Sequence, residues 1–205
     1  MDIGIYNAKY PFRKLIQFLL PYFKNTDPNT VSYALVPLGL LTALIYFFAP
    51  KCDWLYLLGI VLIFLRMIVG TLDGLIAETF HKQSPKGEVN NRLTPECADI
   101  LLMLAIALSL PASLPLGLFA LGISWGISYT GIIGAVAGLK PQSVGPVGQT
   151  DRIASLILLS LLQFFSLHYA WNFNFIILFL WWVIIGGLIT IGLRIYRLFK
   201  LLSPQ

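Results

Sequence analysis

Long runs without a charged side chain dominate this sequence and limit what it can fold into. From Phe175 to Gly192 no residue is charged, and between Trp54 and Val69 only Arg66 is. A helix of about 20 apolar residues crosses the hydrocarbon core of a bilayer, whereas membrane β-strands are shorter and alternate in hydropathy. Hydrophobic residues make up 58% and charged residues 11% of the chain, which excludes a water-soluble domain. We therefore expect an all-α, integral multi-pass membrane protein.

Hydropathy predicts six transmembrane helices preceded by an amphipathic interfacial helix. Within residues 11–23, apolar side chains share one helical face and Arg13, Lys14 and Gln17 lie opposite, on a segment too short to cross the membrane. We expect a single membrane domain over residues 1–205, with 1–30 as the interfacial segment and 31–200 as the six-span bundle. The predicted spans are 31–49, 54–77, 98–112, 114–138, 153–171 and 175–193.

The distribution of charge predicts the orientation of the spans. The chain has 14 Lys and Arg against 9 Asp and Glu, for a net charge of +5. In the six-span arrangement, twelve of these 14 cations fall on one side, Lys51 alone falls on the other, and Arg66 lies inside a span. The positive-inside rule therefore places both termini in the cytoplasm. Because the cations are scattered between spans, no nucleic-acid partner is expected, and Cys52 and Cys97 fall on opposite sides, where they cannot form a disulfide.

Two stripes of polar and small residues interrupt the apolar pattern near one end of the second and third spans. An ionisable residue within a membrane segment is costly and therefore indicates a functional site. A turn at residues 83–85 joins the two segments, so the stripes can face each other across antiparallel helices. The first polar stripe consists of Arg66, Gly70, Asp73, Gly74, Ala77 and Glu78. The second consists of Glu88, Asn91, Arg92, Pro95, Glu96 and Asp99.

Carboxylate and amide oxygens that meet at the membrane boundary suit a divalent cation. Mg²⁺ and Mn²⁺ take oxygen ligands and bridge substrate phosphates. A structural interpretation stays open beside this one, in which the charged residues of the second stripe are solvated loop residues and Asp73 pairs with Arg66 or Lys86. The candidate ligands are Asp73, Asn91, Glu96 and Asp99.

Three segments resemble the CDP-alcohol phosphatidyltransferases. Residues 72–78, followed by Gly87, Asn91 and Asp99, resemble the signature Asp-x2-Asp-Gly-x2-Ala-Arg-x8-Gly-x3-Asp-x3-Asp. Residues 27–32 resemble the family's Pro-Asn-x-Val/Ile-Ser/Thr segment, in which we expect Thr30 or Ser32 to cap the first helix. Residues 143–152 resemble its Gly-Pro-Met-x-Lys-x-x-Arg segment. The resemblance implies a six-span fold with an amphipathic amino-terminal helix.

The signature is matched in part. The matching positions are Asp73, Gly74, Ala77 and Gly87. The departing positions are Gly70, Glu78, Asn91 and Pro95, which stand where the family has its first aspartate, its arginine, its third aspartate and its fourth aspartate. Asp99 lies one helical turn beyond the fourth position and Glu96 one residue beyond it. The chain most resembles divergent members that carry asparagine at the third position and an aspartate one turn after the fourth.

The resemblance implies displacement of CMP from a CDP-linked lipid by an alcohol acceptor in phospholipid biosynthesis. Mg²⁺ or Mn²⁺ would neutralise the diphosphate, held by Asp73 together with the other candidate ligands. Asn91 cannot take a proton, so Asp99 or Glu96 is the expected catalytic base. Gly74, Ala77 and Gly87 are the residues expected to admit the substrate.

The expected partners are the CDP-linked lipid, the alcohol acceptor, membrane lipids and a second copy of the chain in a homodimer. Arg152 is a candidate for binding an acceptor phosphate. The alternative is that it only helps to keep its loop on the cytoplasmic side, as the positive-inside rule describes. Family members with phosphorylated acceptors often carry an arginine where this chain has Gly131, which argues mildly against such an acceptor.

Two other functions remain open at this level. The first is a catalytically silent relative that binds lipid or nucleotide. The second is a small membrane transporter in which Arg66 and Asp73 line a path. An internal repeat would favour transport, and the sequence shows none.

The predicted orientation can be tested with single cysteines added at each terminus of a Cys52→Ser, Cys97→Ser variant. Because the twelve cations are expected to keep the termini in the cytoplasm, both added cysteines should be protected from an impermeant maleimide in intact cells and should react after lysis. Labelling of either terminus before lysis would refute this orientation.

Overall fold

The computed structural model describes residues 9–203, and all regular structure in that range is helical. This confirms the all-α prediction. The eight α-helices are α1 Lys9–Ile16, α2 Pro28–Tyr33, α3 Leu35–Phe48, α4 Trp54–Thr79, α5 Pro85–Ser109, α6 Leu114–Ile132, α7 Gln149–His168 and α8 Phe175–Leu202. Short 3₁₀ segments occupy Gln17–Phe23, Ala49–Lys51, Pro111–Ser113 and Ile133–Ala137.

Within residues 9–203, five helical segments are long and apolar enough to cross a membrane, which makes the chain an integral membrane protein. The remaining one of the six predicted spans, the third at residues 98–112, falls on α5, whose charged stripe lowers its hydropathy below that of the others. The count of six therefore stays a prediction. The five segments are Pro28–Lys51, Trp54–Thr79, Pro111–Ala137, Gln149–His168 and Phe175–Leu202.

The third predicted span has different bounds in the structure. Helix α5 starts at Pro85, so the second polar stripe and the apolar residues after it share one continuous helix. The helix ends at Ser109 and not at residue 112. Leu110 leaves the helical conformation, with φ −121° and ψ 72°, because a proline such as Pro111 disfavours the α conformation in the residue before it.

The first membrane helix starts earlier than predicted and has a different cap. Its N-cap is Asp27, whose carboxylate accepts a hydrogen bond from the Asn29 backbone N–H at 2.9 Å. Pro28 takes the first helical position, where its missing N–H costs nothing. The prediction that Thr30 or Ser32 caps this helix was wrong, since both residues lie inside it.

The amino-terminal segment is α-helical only in part. Helix α1 ends at Ile16 and the chain continues as a 3₁₀ helix that contains Pro21, which lacks a backbone donor. Apolar side chains of this segment, among them Leu19 and Phe23, pack against a buried cluster on α2 and α4. Of the predicted interfacial segment 1–30, residues 1–8 lie outside the described range, and its placement at the interface stays a prediction.

Contacts divide the described chain into an amino-terminal unit, which ends at residue 109, and a carboxy-terminal unit, which begins at residue 110. In the amino-terminal unit α3 packs against both α4 and α5. Gly39 of α3 lies directly against Ala98 of α5, and Gly59 of α4 lies against the ring of Tyr46. Small residues at these crossings let the helix backbones come close. The single domain predicted over residues 1–205 stays a prediction.

In the carboxy-terminal unit α8 packs against α6 and α7. Two successive glycines on α8 leave room for neighbouring side chains, because Gly187 faces Ile123 of α6 and Gly186 faces Val147 in the segment before α7. Gly145 has φ +116°, a conformation that L side chains rarely adopt, and it lies against Thr190 of α8. The segment before α7 is thereby held close to α8.

Substitution of Gly39 by valine should destabilise the amino-terminal unit. A Cβ at this position would lie 2.8 Å from Cα of Ala98, which is backbone and cannot rotate away. Overpacking of this kind costs about 1–3 kcal/mol. We expect a lower Tm in detergent for Gly39→Val and almost no change for Gly192→Ala, where a Cβ meets nothing within 4 Å. Equal Tm values for the two variants would contradict the packing described here.

Candidate functional site

A pocket of about 450 Å³ opens in the amino-terminal unit where α2, α4 and α5 converge. Its wall is formed by the start of α2, the end of α4, the turn after it and the first turns of α5. The lining residues are Pro28, Asn29, Ser32, Asp73, Gly74, Ala77, Glu78, Lys82, Gln83, Ser84, Pro85, Gly87, Glu88 and Asn91. Members of both polar stripes therefore share one cavity.

Asp73 is the carboxylate held most firmly in this pocket. Its side chain is buried, with the residue only 2% exposed. Ser32 Oγ donates to one carboxylate oxygen at 2.6 Å, and the Gly74 backbone N–H donates to the other at 2.6 Å. Hydrogen bonds to a charged acceptor are short and strong, so the hydroxyl on α2 fixes the orientation of the carboxylate on α4.

The small residues of the signature lie around the pocket on both α4 and α5. A Cβ at Gly74 would lie 3.8 Å from the amide nitrogen of Asn91. Ala77 and Gly87 line the same cavity from the two sides of the turn. The structure thus gathers Asp73, Gly74, Ala77, Gly87 and Asn91, five of the residues predicted to hold metal or substrate.

Asp99 and Glu96 are placed differently. Asp99 forms an ion pair with Arg66, and both residues are buried. Arg66 also donates to the backbone carbonyl of Pro95 at 2.9 Å. Glu96 is half-buried on α5, and the described lining of the pocket includes neither Glu96 nor Asp99. Their roles as metal ligands and as the catalytic base therefore stay predictions.

The pocket offers oxygen atoms for one cation more readily than for two. Residues 9–203 contain no group of three or more His, Cys, Asp or Glu side chains that could hold a metal ion. Mg²⁺ is commonly held by one or two carboxylates, with water and substrate phosphates completing its shell. The carboxylate of Asp73, with the amide oxygen of Asn91 and the hydroxyl of Ser32 on the same wall, fits that arrangement. It does not fit a centre of two ions held by all four aspartates of the complete signature, because Asp73 is the only aspartate in the described lining.

A pair of asparagines forms part of the site that the sequence did not predict. Asn29 lines the pocket from α2, and its side-chain oxygen accepts a hydrogen bond from Asn90 Nδ2 at 2.8 Å. Asn90 is buried and also donates to the Tyr33 hydroxyl at 3.1 Å. Asn29 and Ser32 both belong to segment 27–32, whose resemblance to the family segment was a signal that could have found them.

The mouth of the pocket carries charged groups from the amino-terminal segment. Glu78, which stands at the family's arginine position, forms an ion pair with Arg13. Lys82 Nζ lines the pocket and donates to the backbone carbonyls of Lys24 at 2.7 Å and Thr26 at 3.0 Å. Both contacts tie residues 9–27 to the rim formed by the end of α4.

Arg152 lies in the carboxy-terminal unit, where it is buried and donates to the Ser124 carbonyl at 3.2 Å. Its predicted role in substrate binding stays a prediction. Arg194 is also buried there and donates to the carbonyls of Val144 and Ile127. A Cβ at Gly131 would lie 2.8 Å from Nη1 of Arg194, so a guanidinium occupies the space where a side chain at position 131 would begin.

The sequence is similar to a bacterial inner membrane protein. No protein-family model matches the chain. The inner membrane protein YnbA of Escherichia coli (strain K12) is 28% identical over 151 residues, which cover 72% of this chain and 74% of that protein. This likeness agrees with the membrane character of the helices.

Among solved structures the chain is similar to Mycobacterium tuberculosis phosphatidylinositol phosphate synthase (PgsA1). With CDP-DAG bound, that enzyme superposes with a TM-score of 0.71 at 16% identity, over 91% of this chain and 92% of the enzyme. The same enzyme in complex with manganese and citrate gives a TM-score of 0.71 at 16% identity, over 91% and 88%. The chain therefore has the fold of a CDP-alcohol phosphatidyltransferase, which supports the resemblance found in its motifs.

Removal of the Ser32 hydroxyl should destabilise the site without changing its shape. Ser32→Ala deprives the buried Asp73 carboxylate of one donor, and a hydrogen bond to a charged group contributes about 1.5–3 kcal/mol. We expect a clear fall in Tm for Ser32→Ala and none for Ser143→Ala, whose side chain is exposed. A Tm for Ser32→Ala equal to that of the control would show that this hydrogen bond does not hold Asp73.

Proposed function

We propose that the chain is a CDP-alcohol phosphotransferase of phospholipid biosynthesis, which displaces CMP from a CDP-linked lipid with an alcohol acceptor. The observation that carries the proposal is the pocket in which Asp73, Gly74, Ala77, Gly87 and Asn91 meet in the order of the family signature. The fold adds support, because a synthase with a similar structure binds CDP-DAG.

The substrate's nucleotide would bind at the small residues of the pocket. Gly74 and Ala77 leave the surface of α4 open to a flat base, because neither carries a side chain longer than a methyl group. The amides of Asn29 and Asn91 supply both donors and acceptors to a nucleotide. Lys82 is the cationic residue in the described lining and would offset charge on the diphosphate.

A divalent cation, Mg²⁺ or Mn²⁺, would be held by Asp73 with Asn91. When bound it would neutralise charge on the diphosphate and on the departing CMP. Ser32 would keep the Asp73 carboxylate in the orientation that binds the ion. The manganese complex of the similar synthase supports this assignment.

A carboxylate must take the proton of the acceptor hydroxyl as it attacks. Asn91 cannot accept a proton at neutral pH, and Asp99 is engaged by Arg66. Glu88 lines the pocket one turn before Asn91, and its ion pair with Arg92 is exposed, whereas the pair of Asp99 with Arg66 is buried. We therefore assign the proton to Glu88, with Glu96 as the alternative on the same helix. We further propose that the active form is a homodimer and that both termini face the cytoplasm.

The proposal predicts that CDP binding depends on the cation. Calorimetry of the purified protein with CDP should give measurable binding with Mg²⁺ or Mn²⁺ and much weaker binding in EDTA, because the diphosphate would then lack its counter-charge. Asp73→Ala should weaken binding in Mg²⁺ to the level seen in EDTA. Equal affinity with and without EDTA would remove the cation from the proposal.

A second candidate function is a catalytically silent protein that binds CDP-linked lipid without transferring it. The observation that favours it is that Asp73 is the only signature aspartate in the described lining of the pocket. In this case wild-type protein would release no CMP from CDP-diacylglycerol with any of several alcohols.

Restoration of the family residues separates the two candidates. If the protein is silent, Gly70→Asp combined with Asn91→Asp and Pro95→Asp should create CMP release that the wild type lacks, because the restored carboxylates would hold the cations that neutralise the diphosphate. If the protein is an enzyme, Asp73→Ala should abolish its CMP release. Wild-type activity that persists in Asp73→Ala would refute the site. Expression and Tm are measured beside activity, since added buried charges cost stability.

A further inference from the structure

The ion pair between Arg66 and Asp99 lies inside the helical bundle of the amino-terminal unit. The side chains of Arg66 and Asp99 are 4% and 9% exposed. Arg66 approaches from α4 and Asp99 from α5, and the same guanidinium nitrogen binds the carbonyl of Pro95. Two buried charges in such contact compensate each other in a region that solvates neither alone.

Gly70 and Pro95, which stand at the first and fourth aspartate positions of the signature, provide no carboxylate for a cation. Pro95 offers only its backbone carbonyl, and that carbonyl is already bonded to Arg66. A Cβ at Gly70 would lie 3.5 Å from a methyl carbon of Leu35, which is an apolar neighbour. Asp99 brings a carboxylate to this part of the bundle, and the guanidinium of Arg66 compensates its charge.

We propose that the Arg66 guanidinium is a built-in cation that takes the place of one divalent ion. The chain then binds no more than one divalent cation, at Asp73, and Asp99 is a partner of Arg66 and not a metal ligand. Arginine stays charged under all physiological conditions, and a second cation beside it would be repelled strongly in a medium of low dielectric constant. The single ion at Asp73 rests on the proposed function, whereas the exclusion of metal from Asp99 does not.

The number of bound ions tests the proposal. Mn²⁺ is titrated into the purified full-length chain in detergent, with and without saturating CDP, and free Mn²⁺ is followed by electron paramagnetic resonance. One bound Mn²⁺ per chain supports both the inference and the cation site of the proposed function. None supports the inference and contradicts that cation site. Two bound ions per chain overturn the inference.

A pair of matched variants gives a second readout. Asp99→Asn should lower Tm by the same amount in EDTA and in Mn²⁺, because it leaves the buried Arg66 charge uncompensated, and it should leave the Mn²⁺ count unchanged. Asp73→Asn should instead reduce the Mn²⁺ count to zero. Loss of Mn²⁺ from Asp99→Asn, or a Tm loss seen only in Mn²⁺, would overturn the inference.

If Asp99→Asn does not fold, the double variant Arg66→Leu with Asp99→Leu replaces both charges by apolar side chains, a change that buried ion pairs often tolerate. Its Mn²⁺ count should equal that of the wild type. A lower count in the folded double variant would show that the pair contributes to metal binding and would overturn the inference.

Discussion

The absence of water from the hydrocarbon core is the constraint on which this structure depends. Every backbone polar group there must find its partner within the protein, which leaves helices as the solution for a chain of this composition. The same constraint acts on side chains. Arg66 and Asp99 pair, Asp73 is bonded to Ser32, and Thr42 returns its hydroxyl to the Leu38 carbonyl. Polar side chains are thereby paired within the bundle. One such pair, Asp73 with Ser32, lies in the wall of the pocket.

The fold was largely readable from the sequence because hydropathy alone decides which segments enter a membrane. The predicted span 54–77 corresponds to Trp54–Thr79 and confirms that expectation. The details that failed depend on local chemistry. Helix α5 ends early because the proline after Leu110 disfavours the helical conformation at Leu110. Asp27 caps α2 because Pro28 already occupies the first helical position.

The sequence predicted only part of the candidate site, because helical periodicity does not fix the contacts between helices. Helical periodicity shows that Asp73 and Gly74 share a face, but it does not show which side chain on another helix they meet. The pairing of Arg66 with Asp99 depends on how α4 and α5 are rotated about their own axes, and the contact between Ser32 and Asp73 depends on where α2 crosses α4. These rotations are set by packing of the whole amino-terminal unit. The residues of a single stripe are therefore not enough to predict them.

The ion pair between Arg13 and Glu78 makes the charge at the rim of the pocket depend on ionic strength. Glu78 is about half exposed and Arg13 about a quarter exposed, so dissolved salt screens their attraction. When Arg13 is in contact, the carboxylate at the rim is neutralised and an anionic ligand approaches without repulsion. When salt weakens the contact, a negative charge stands at the mouth of the pocket. The charge at the rim therefore depends on the surrounding solution and on a separate segment of the chain.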